Sequence, residues 1–337
     1  MRVAPAGGDC GQLVSRESNS ALFVPMQSRP RHPRIGPFDV MVGVPIDCSG
    51  AFVGCERMPA ALRAANLAAA LDVDDVGNLQ VTIADPLRDP ETGVIGLRDV
   101  LGASAVVKRA LADLLADSRK PLLIGGDCTL LIGVAGALRS ERPGAGLMFV
   151  DGHLDCYDGK SSPTGECADM ELAILLGIGP GPIVNFAGEE PLLDQHRVAV
   201  LGPSDEASAA LDGAPDPRQF APAMWIVGVE ELTLDPGGHA RAALEHLDRG
   251  RSGFWLHLDL DVLSCDALPA VDYPTKEGLT WEQLLETLRP AFADDSMLGA
   301  SVVIFNPTKD PEGVYAARIV QLLRDAADDT DVSVAPA

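Results

Sequence analysis

The stretch GLMFVDGHLDCYDG, residues 146–159, decides how the chain is read. Residues 146–150 form a continuous apolar run, and Asp151, His153 and Asp155 then alternate. A run that is apolar on both faces suits a strand covered on both sides, as in a parallel sheet. Period-two alternation sends the three polar side chains to one side of the chain. There they form either an ordinary hydrogen-bonded turn or part of a metal-ligand set.

Similar short apolar runs recur at residues 38–44, 79–83, 121–124, 197–201, 224–227, 253–258 and 299–305. Helix-like spacing lies between several of them. Val107, Leu111, Leu114 and Leu115 keep a helical stripe within residues 101–115, and Leu284 and Leu288 lie one turn apart within residues 280–288. Thr280 followed by Gln283 has the form of a capping box. Strands alternating with helices imply an α/β protein, a three-layer α/β/α domain with a mostly parallel sheet of about eight strands. Residues 1–36, rich in Arg, Pro, Ser and Gly without periodicity, read as a flexible extension, residues 37–325 as one domain, and residues 326–337 as a tail.

Ligand sites in such folds form at the carboxyl ends of strands. Three of those positions read GGDC (125–128), DGHLD (151–155) and HLDLD (257–261). Asp259 and Asp261 repeat the alternation of the opening stretch. Carboxylates emerging together from an apolar strand lose hydration and repel one another, so a cation is expected between them. Five ligands, four of them carboxylates, exceed the needs of one ion and suit two divalent cations about 3.5–4 Å apart. Oxygen-rich ligation with one imidazole favours Mn²⁺, with Zn²⁺ and Fe²⁺ open. His257 reads as a residue packed at a strand end, placed to hydrogen-bond toward that site.

The charge balance narrows the partners. With 49 acidic and 26 basic residues the formal charge is -23, which argues against nucleic acid and anionic membranes as partners. No apolar segment approaches the roughly 20 residues needed to span a bilayer, and no signal-peptide core stands at the N-terminus, so a cytoplasmic location is expected. Seven cysteines, an odd number spread along a long chain, read as reduced thiols.

The ordered motifs GGDC at 125–128, D-x-H-x-D at 151–155, and D-x-D at 259–261 followed by P-x-x-x-G-L-T at 274–280 resemble the arginase/agmatinase (ureohydrolase) family. Residues 43–63 (GVPIDCSGAFVGCERMPAALR) are similar to its first strand-loop-helix, and Phe305-Asn306-Pro307 to its last strand end. The resemblance implies two bound metals: Asp151 and Asp259 bridging, Asp155 and Cys128 completing one ion, His153 and Asp261 the other. It also implies a metal-bridging hydroxide as nucleophile, Asp155 as proton relay, a small-molecule substrate, and a homo-oligomer, trimeric or hexameric.

Several positions depart from the family pattern. Cys128 stands where the family has histidine, as in members that hydrolyse Nω-hydroxy-L-arginine, and a thiolate shifts metal preference toward Zn²⁺ or Fe²⁺. Ile304 replaces the glutamate that holds a guanidinium. Ala168 replaces a proton-shuttling histidine, a role left to Glu166 or Cys167. Ala270-Val271-Asp272-Tyr273 replaces a Gly-Thr-Gly stretch, and Tyr157, Lys160 and Thr164 occupy the substrate loop. The reading is a hydrolase of C–N bonds in a guanidino, hydroxyguanidino or amidine-type molecule. The alternative is a catalytically silent or regulatory homologue that keeps a metal site for structure.

Overall fold

A computed structural model describes residues 36–49, 53–188, 191–247 and 252–328. The expected extension therefore lies outside the described residues except for Gly36, and so does most of the expected tail. Eight strands form one sheet: β1 (Val40–Val44), β2 (Asp74–Asn78), β3 (Pro121–Gly125), β4 (Gly146–Val150), β5 (Val198–Leu201), β6 (Trp225–Val227), β7 (Phe254–Asp259) and β8 (Met297–Val303). Their order is β2-β1-β3-β8-β7-β4-β5-β6. Every pairing is parallel.

Burial follows that order. Strands β1, β3, β4, β5 and β7 are buried at every residue, which is why they read as unbroken apolar runs. At the edges β2 and β6 are only partly covered. The second strand differs from expectation: it is Asp74–Asn78, sequence DDVGN, rather than residues 79–83. As an edge strand it needs no apolar face on both sides, and Arg63 secures it by an ion pair to Asp75 at 2.7 Å. The apolar residues that follow, Leu79 and Val81, are buried after the ladder has ended.

The principal helices are α1 (Met58–Ala64), α2 (Leu97–Ala116), α3 (Leu130–Glu141), α4 (Glu171–Leu175), α5 (Pro236–Leu247), α6 (Trp281–Phe292) and α7 (Val314–Asp328). Helices α2, α3 and α4 pack in succession, and so do α5, α6, α7 and α1. Connections running toward β6 use the first group and those running back use the second. With right-handed crossovers the two groups cover opposite faces of the sheet. The polypeptide leaves β4 and β7, which are neighbours, toward opposite faces, so a crevice opens between their carboxyl ends. Helix α7 runs to Asp328, with Ala326 and Ala327 buried against the core.

Helix α6 starts where the sequence places it. The Thr280 hydroxyl accepts from the Gln283 amide at 3.2 Å, and the Gln283 side chain accepts from the Thr280 amide at 2.9 Å. Trp281, Leu284, Leu288 and Phe292 then turn inward. Replacing Thr280 by Ala removes one half of that box, so Thr280→Ala should lower stability by about 1 kcal/mol in urea unfolding. An unchanged midpoint would show that the cap carries no weight.

Candidate metal centre and catalytic pocket

The GGD turn after β3 is held by close backbone approach. A Cβ on Gly126 would lie 1.5 Å from the Ile46 carbonyl oxygen, so only glycine lets this turn pack against the end of β1. The turn delivers Cys128, whose thiol donates to Asp259 Oδ2 at 2.8 Å. Gly152 plays the same part after β4, since a Cβ there would meet the Asp261 carbonyl at 2.7 Å. That approach brings the ends of β4 and β7 together. The His153 amide donates to Asp151 Oδ1 and the Asp261 amide to Asp259 Oδ1, each at 2.7 Å. The two alternating motifs therefore fold as matching Asx turns. The His153 ring lies 3.1 Å from Asp261 Oδ2 and 3.8 Å from Asp151 Oδ1.

All of these carboxylates are buried. Burial, followed by repulsion from Asp155, Asp259 and Asp261, pushes the Asp151 carboxyl well above its usual range. Burial and then Asp261 do the same to Asp259, and burial and then Glu171 to Asp155. The Cys128 thiol is raised by burial and by Asp259. Burial works against charge on His153, but Asp261 outweighs it and lifts the ring to about 9. Such a cluster calls for positive charge, and the donor chemistry fits divalent metal. Asp151, His153 and Asp261 offer ligand atoms within 4.8 Å of one another. Asp151 Oδ2 is buried without a hydrogen-bond partner, as an atom facing a cation would be.

A second group was only partly legible. Cys128, Asp151, Glu171 and His257 also offer atoms within 4.8 Å of one another. The signal for Glu171 was a charged residue heading the apolar segment ELAIL of α4, where it is fully buried. His257 does pack at the strand, stacked on Phe149 with ring centroids 5.2 Å apart. Its Nδ1 lies 2.7 Å from Ser301 Oγ, and burial lowers its pKa to about 3, so the ring is neutral.

A cavity of about 430 Å³ opens over the cluster. His153, Asp155, Asp259 and Asp261 form its floor, and Tyr157, Thr164, Glu166, Ala168, Tyr273 and Ile304 stand in its wall. Cys128 and Asp151 lie beneath that floor. Lys160 lies outside the lining and is exposed, its amide turned to Asp158 Oδ1 at 2.9 Å. Tyr157 Oη donates to Asp212 at 3.0 Å and Thr164 Oγ1 to Asp169 at 2.6 Å. Ile304 has φ of 64°, a rare conformation for a β-branched residue. Its amide donates to the Gly126 carbonyl at 2.8 Å, which ties β8 to the GGD turn.

Glu166 is one of several acids in the cavity lining, on which Ile304 presents an apolar side chain. Tyr273 Oη donates to Glu166 Oε1 at 2.9 Å, a contact across two loops that sequence spacing does not show. Burial raises Glu166 to about 7 against the lowering effect of that bond. Asp272 behind Tyr273 is anchored by Asn306 Nδ2 at 2.7 Å and Lys309 Nζ at 3.1 Å. Cys55 donates to the same carboxylate at 3.1 Å. The thiols of Cys48, Cys55, Cys128, Cys156, Cys167 and Cys265 are all free.

A family model described as the arginase family matches residues 39–327. The chain belongs to the arginase family. It is 28% identical to the arginase of Brevibacillus brevis over 291 residues, covering 84% of this chain and 95% of the relative. It is 25% identical to the arginase of Bacillus subtilis (strain 168) over 290 residues, with the same shares covered. The native structure of arginase from Bacillus caldovelox superposes with a TM-score of 0.76 at 24% identity, covering 86% of this chain and 98% of that one. This last likeness bears on the fold. Among the described residues no helix is long and apolar enough to cross a membrane.

The raised carboxyls have a thermodynamic consequence. Asp47 and Asp169 rise from 3.8 to about 6 and Glu166 from 4.5 to about 7, in each case first through burial. The folded state then holds more protons than the unfolded one between about pH 4 and 7, so stability falls as pH rises through that window. Chelator-treated protein should lose thermal stability across it. Added divalent ion should restore more at pH 8 than at pH 5, because ligands must shed protons to bind; at a hundred times Kd the gain is about 2.7 kcal/mol. A midpoint indifferent to both pH and metal in differential scanning calorimetry would contradict this electrostatic account.

Proposed function

We propose that this member of the arginase family is a binuclear metal-dependent hydrolase of a C–N bond in a cationic guanidino, hydroxyguanidino or amidine-type small molecule. The observation that carries the reading is the wall of the cavity. Even when the carboxylates nearest His153 are assigned to metal and Glu166 is kept as an acid, Asp47, Asp169, Asp205, Asp212, Asp272 and Glu277 remain around it, with Lys276 as counter-charge. Such a field concentrates a positively charged ligand.

In this reading Cys128, Asp151, His153, Asp155, Asp259 and Asp261 hold the ions. Mn²⁺ is the expected metal at the oxygen-rich position, with Zn²⁺ or Fe²⁺ admitted by Cys128. When bound, two divalent ions supply an activated water at neutral pH and polarise the substrate's sp² carbon. The chain's own groups do the rest. Asp155 takes up the proton shed as the water attacks, and Glu166 passes one to the departing nitrogen. Tyr273 holds Glu166 in place, and Ile304 offers an apolar wall where a carboxylate clamp would grip a guanidinium. Tyr157 and Thr164 border the remainder of the substrate, with Lys160 at the outer edge of that loop. Assembly as a trimer or hexamer and a cytoplasmic location belong to the same reading. Ile304 and Ala168 are what the silent-homologue alternative would explain, and against it stands the convergence of acid, hydroxyl and metal-type donors on one cavity.

The test is a screen of metal-loaded protein against guanidino and hydroxyguanidino compounds for released urea, hydroxyurea or ammonia. No release from any of them with two equivalents of metal bound would defeat the proposal. For an active substrate, kcat/KM should fall as pH rises through about 7, where Glu166 loses its proton. Tyr273→Phe removes the bond that lowers that pKa, so the limb should move to higher pH. Glu166→Gln should abolish it and cost about 10²–10⁴-fold in rate. A pH profile unaltered in both variants would remove Glu166 from proton transfer.

A further inference from the structure

The geometry points to Glu171 and His257 as metal ligands, so that the position beside Cys128 is an O, N and S site unlike the one beside His153. This inference rests on the binuclear reading and gives one half of it a different ligand shell. One ligand atom from each of Cys128, Asp151, Glu171 and His257 lies within 4.8 Å of the others. Asp151, Glu171 and His257 are each fully buried. Asp151 Oδ2 and His257 Nε2 have no hydrogen-bond partner there, and the Glu171 oxygens meet no donor, only the neighbouring carboxyl of Asp155. The Glu171 and Asp155 carboxyls lie within hydrogen-bonding reach of each other, and two buried carboxylates so placed need either a shared proton or a shared cation.

The imidazole is prepared for ligation. Ser301 Oγ lies 2.7 Å from His257 Nδ1 and accepts from Trp255 Nε1 at 3.0 Å. The serine therefore fixes the ring from behind, and stacking on Phe149 fixes its plane, leaving Nε2 unengaged on the opposite edge. A ring oriented through one nitrogen with the other free is the usual arrangement of a histidine ligand. A structural role would leave Nε2 with a partner, because a buried unsatisfied nitrogen costs about 1–3 kcal/mol.

The two positions then differ in chemistry while sharing Asp151. His153 and Asp261 offer a harder, more oxygen-rich set, whereas Cys128, His257 and Glu171 offer thiolate, imidazole and carboxylate. The second combination selects Zn²⁺, Co²⁺ or Fe²⁺ over Mn²⁺. Supplied with Mn²⁺ and Zn²⁺ together, the protein should bind a mixed pair, zinc at Cys128 and manganese at His153.

The experiment uses the full chain stripped with chelator and reloaded. In zinc-soaked crystals, anomalous scattering should place an ion about 2.0–2.3 Å from Cys128 Sγ, His257 Nε2 and a Glu171 oxygen. In Co²⁺ titrations, wild-type protein should show thiolate-to-cobalt charge-transfer absorption and take up two equivalents. Glu171→Gln and His257→Gln, checked for fold by circular dichroism, should keep one equivalent and lose more than a hundredfold in affinity at the thiolate position. Two ions bound with Glu171 and His257 outside ligand distance, and both variants titrating as wild type, would overturn this inference while leaving the binuclear hydrolase intact. Wild-type protein that takes up no second ion would overturn both. The crystal measurement needs no variant, so a substitution that fails to fold does not shield the inference.

Discussion

Mutual repulsion among buried carboxylates at the ends of β4 and β7 is the constraint on which the rest of the molecule depends. Asp151, Asp155, Asp259 and Asp261 are taken out of water and set beside one another, an arrangement that no soluble protein keeps without compensation. Part of that compensation is local. Paired backbone amides from His153 and Asp261 turn each motif back on its own first aspartate. The remainder comes from protons held on the raised carboxyls or from cations, and the surrounding architecture gathers donors that fit the latter. Glycines at 126 and 152 allow the turns to close on one another, and a strand order that reverses beside β4 and β7 leaves the crevice open.

The parallel sheet explains why these charges gather at one edge. Every strand ends at the same rim, so segments distant in sequence deliver their polar residues to a common level. Cys128 and Asp259, 131 residues apart, meet in a single hydrogen bond. Fully buried apolar strands, β4 and β7, flank the crevice and pack its floor from below.

Much of this was legible in the sequence. The unbroken apolar runs gave away the buried strands, because a strand covered on both faces has no room for alternation. The edge strand DDVGN was missed for the same reason reversed: half exposed, it carries no apolar signature, and Leu79 and Val81 beyond it drew attention instead. The clustered acidic motifs at 151–155 and 259–261 were visible because their period of two is imposed by extended backbone. Glu171 was not, since a lone acid on a short helix has no periodic companion, and only the fold brings it to Cys128. Lys160 is near Tyr157 in sequence, but its loop turns outward after Asp158 and leaves it exposed outside the cavity lining. The pairing of Glu166 with Tyr273 joins segments with no shared pattern at all.

That last pairing couples two properties of the pocket. One hydrogen bond between loops 107 residues apart joins two parts of the cavity wall and opposes the rise that burial imposes on Glu166. A change at Tyr273 would therefore alter the shape of the wall and the acidity of its buried acid in the same stroke.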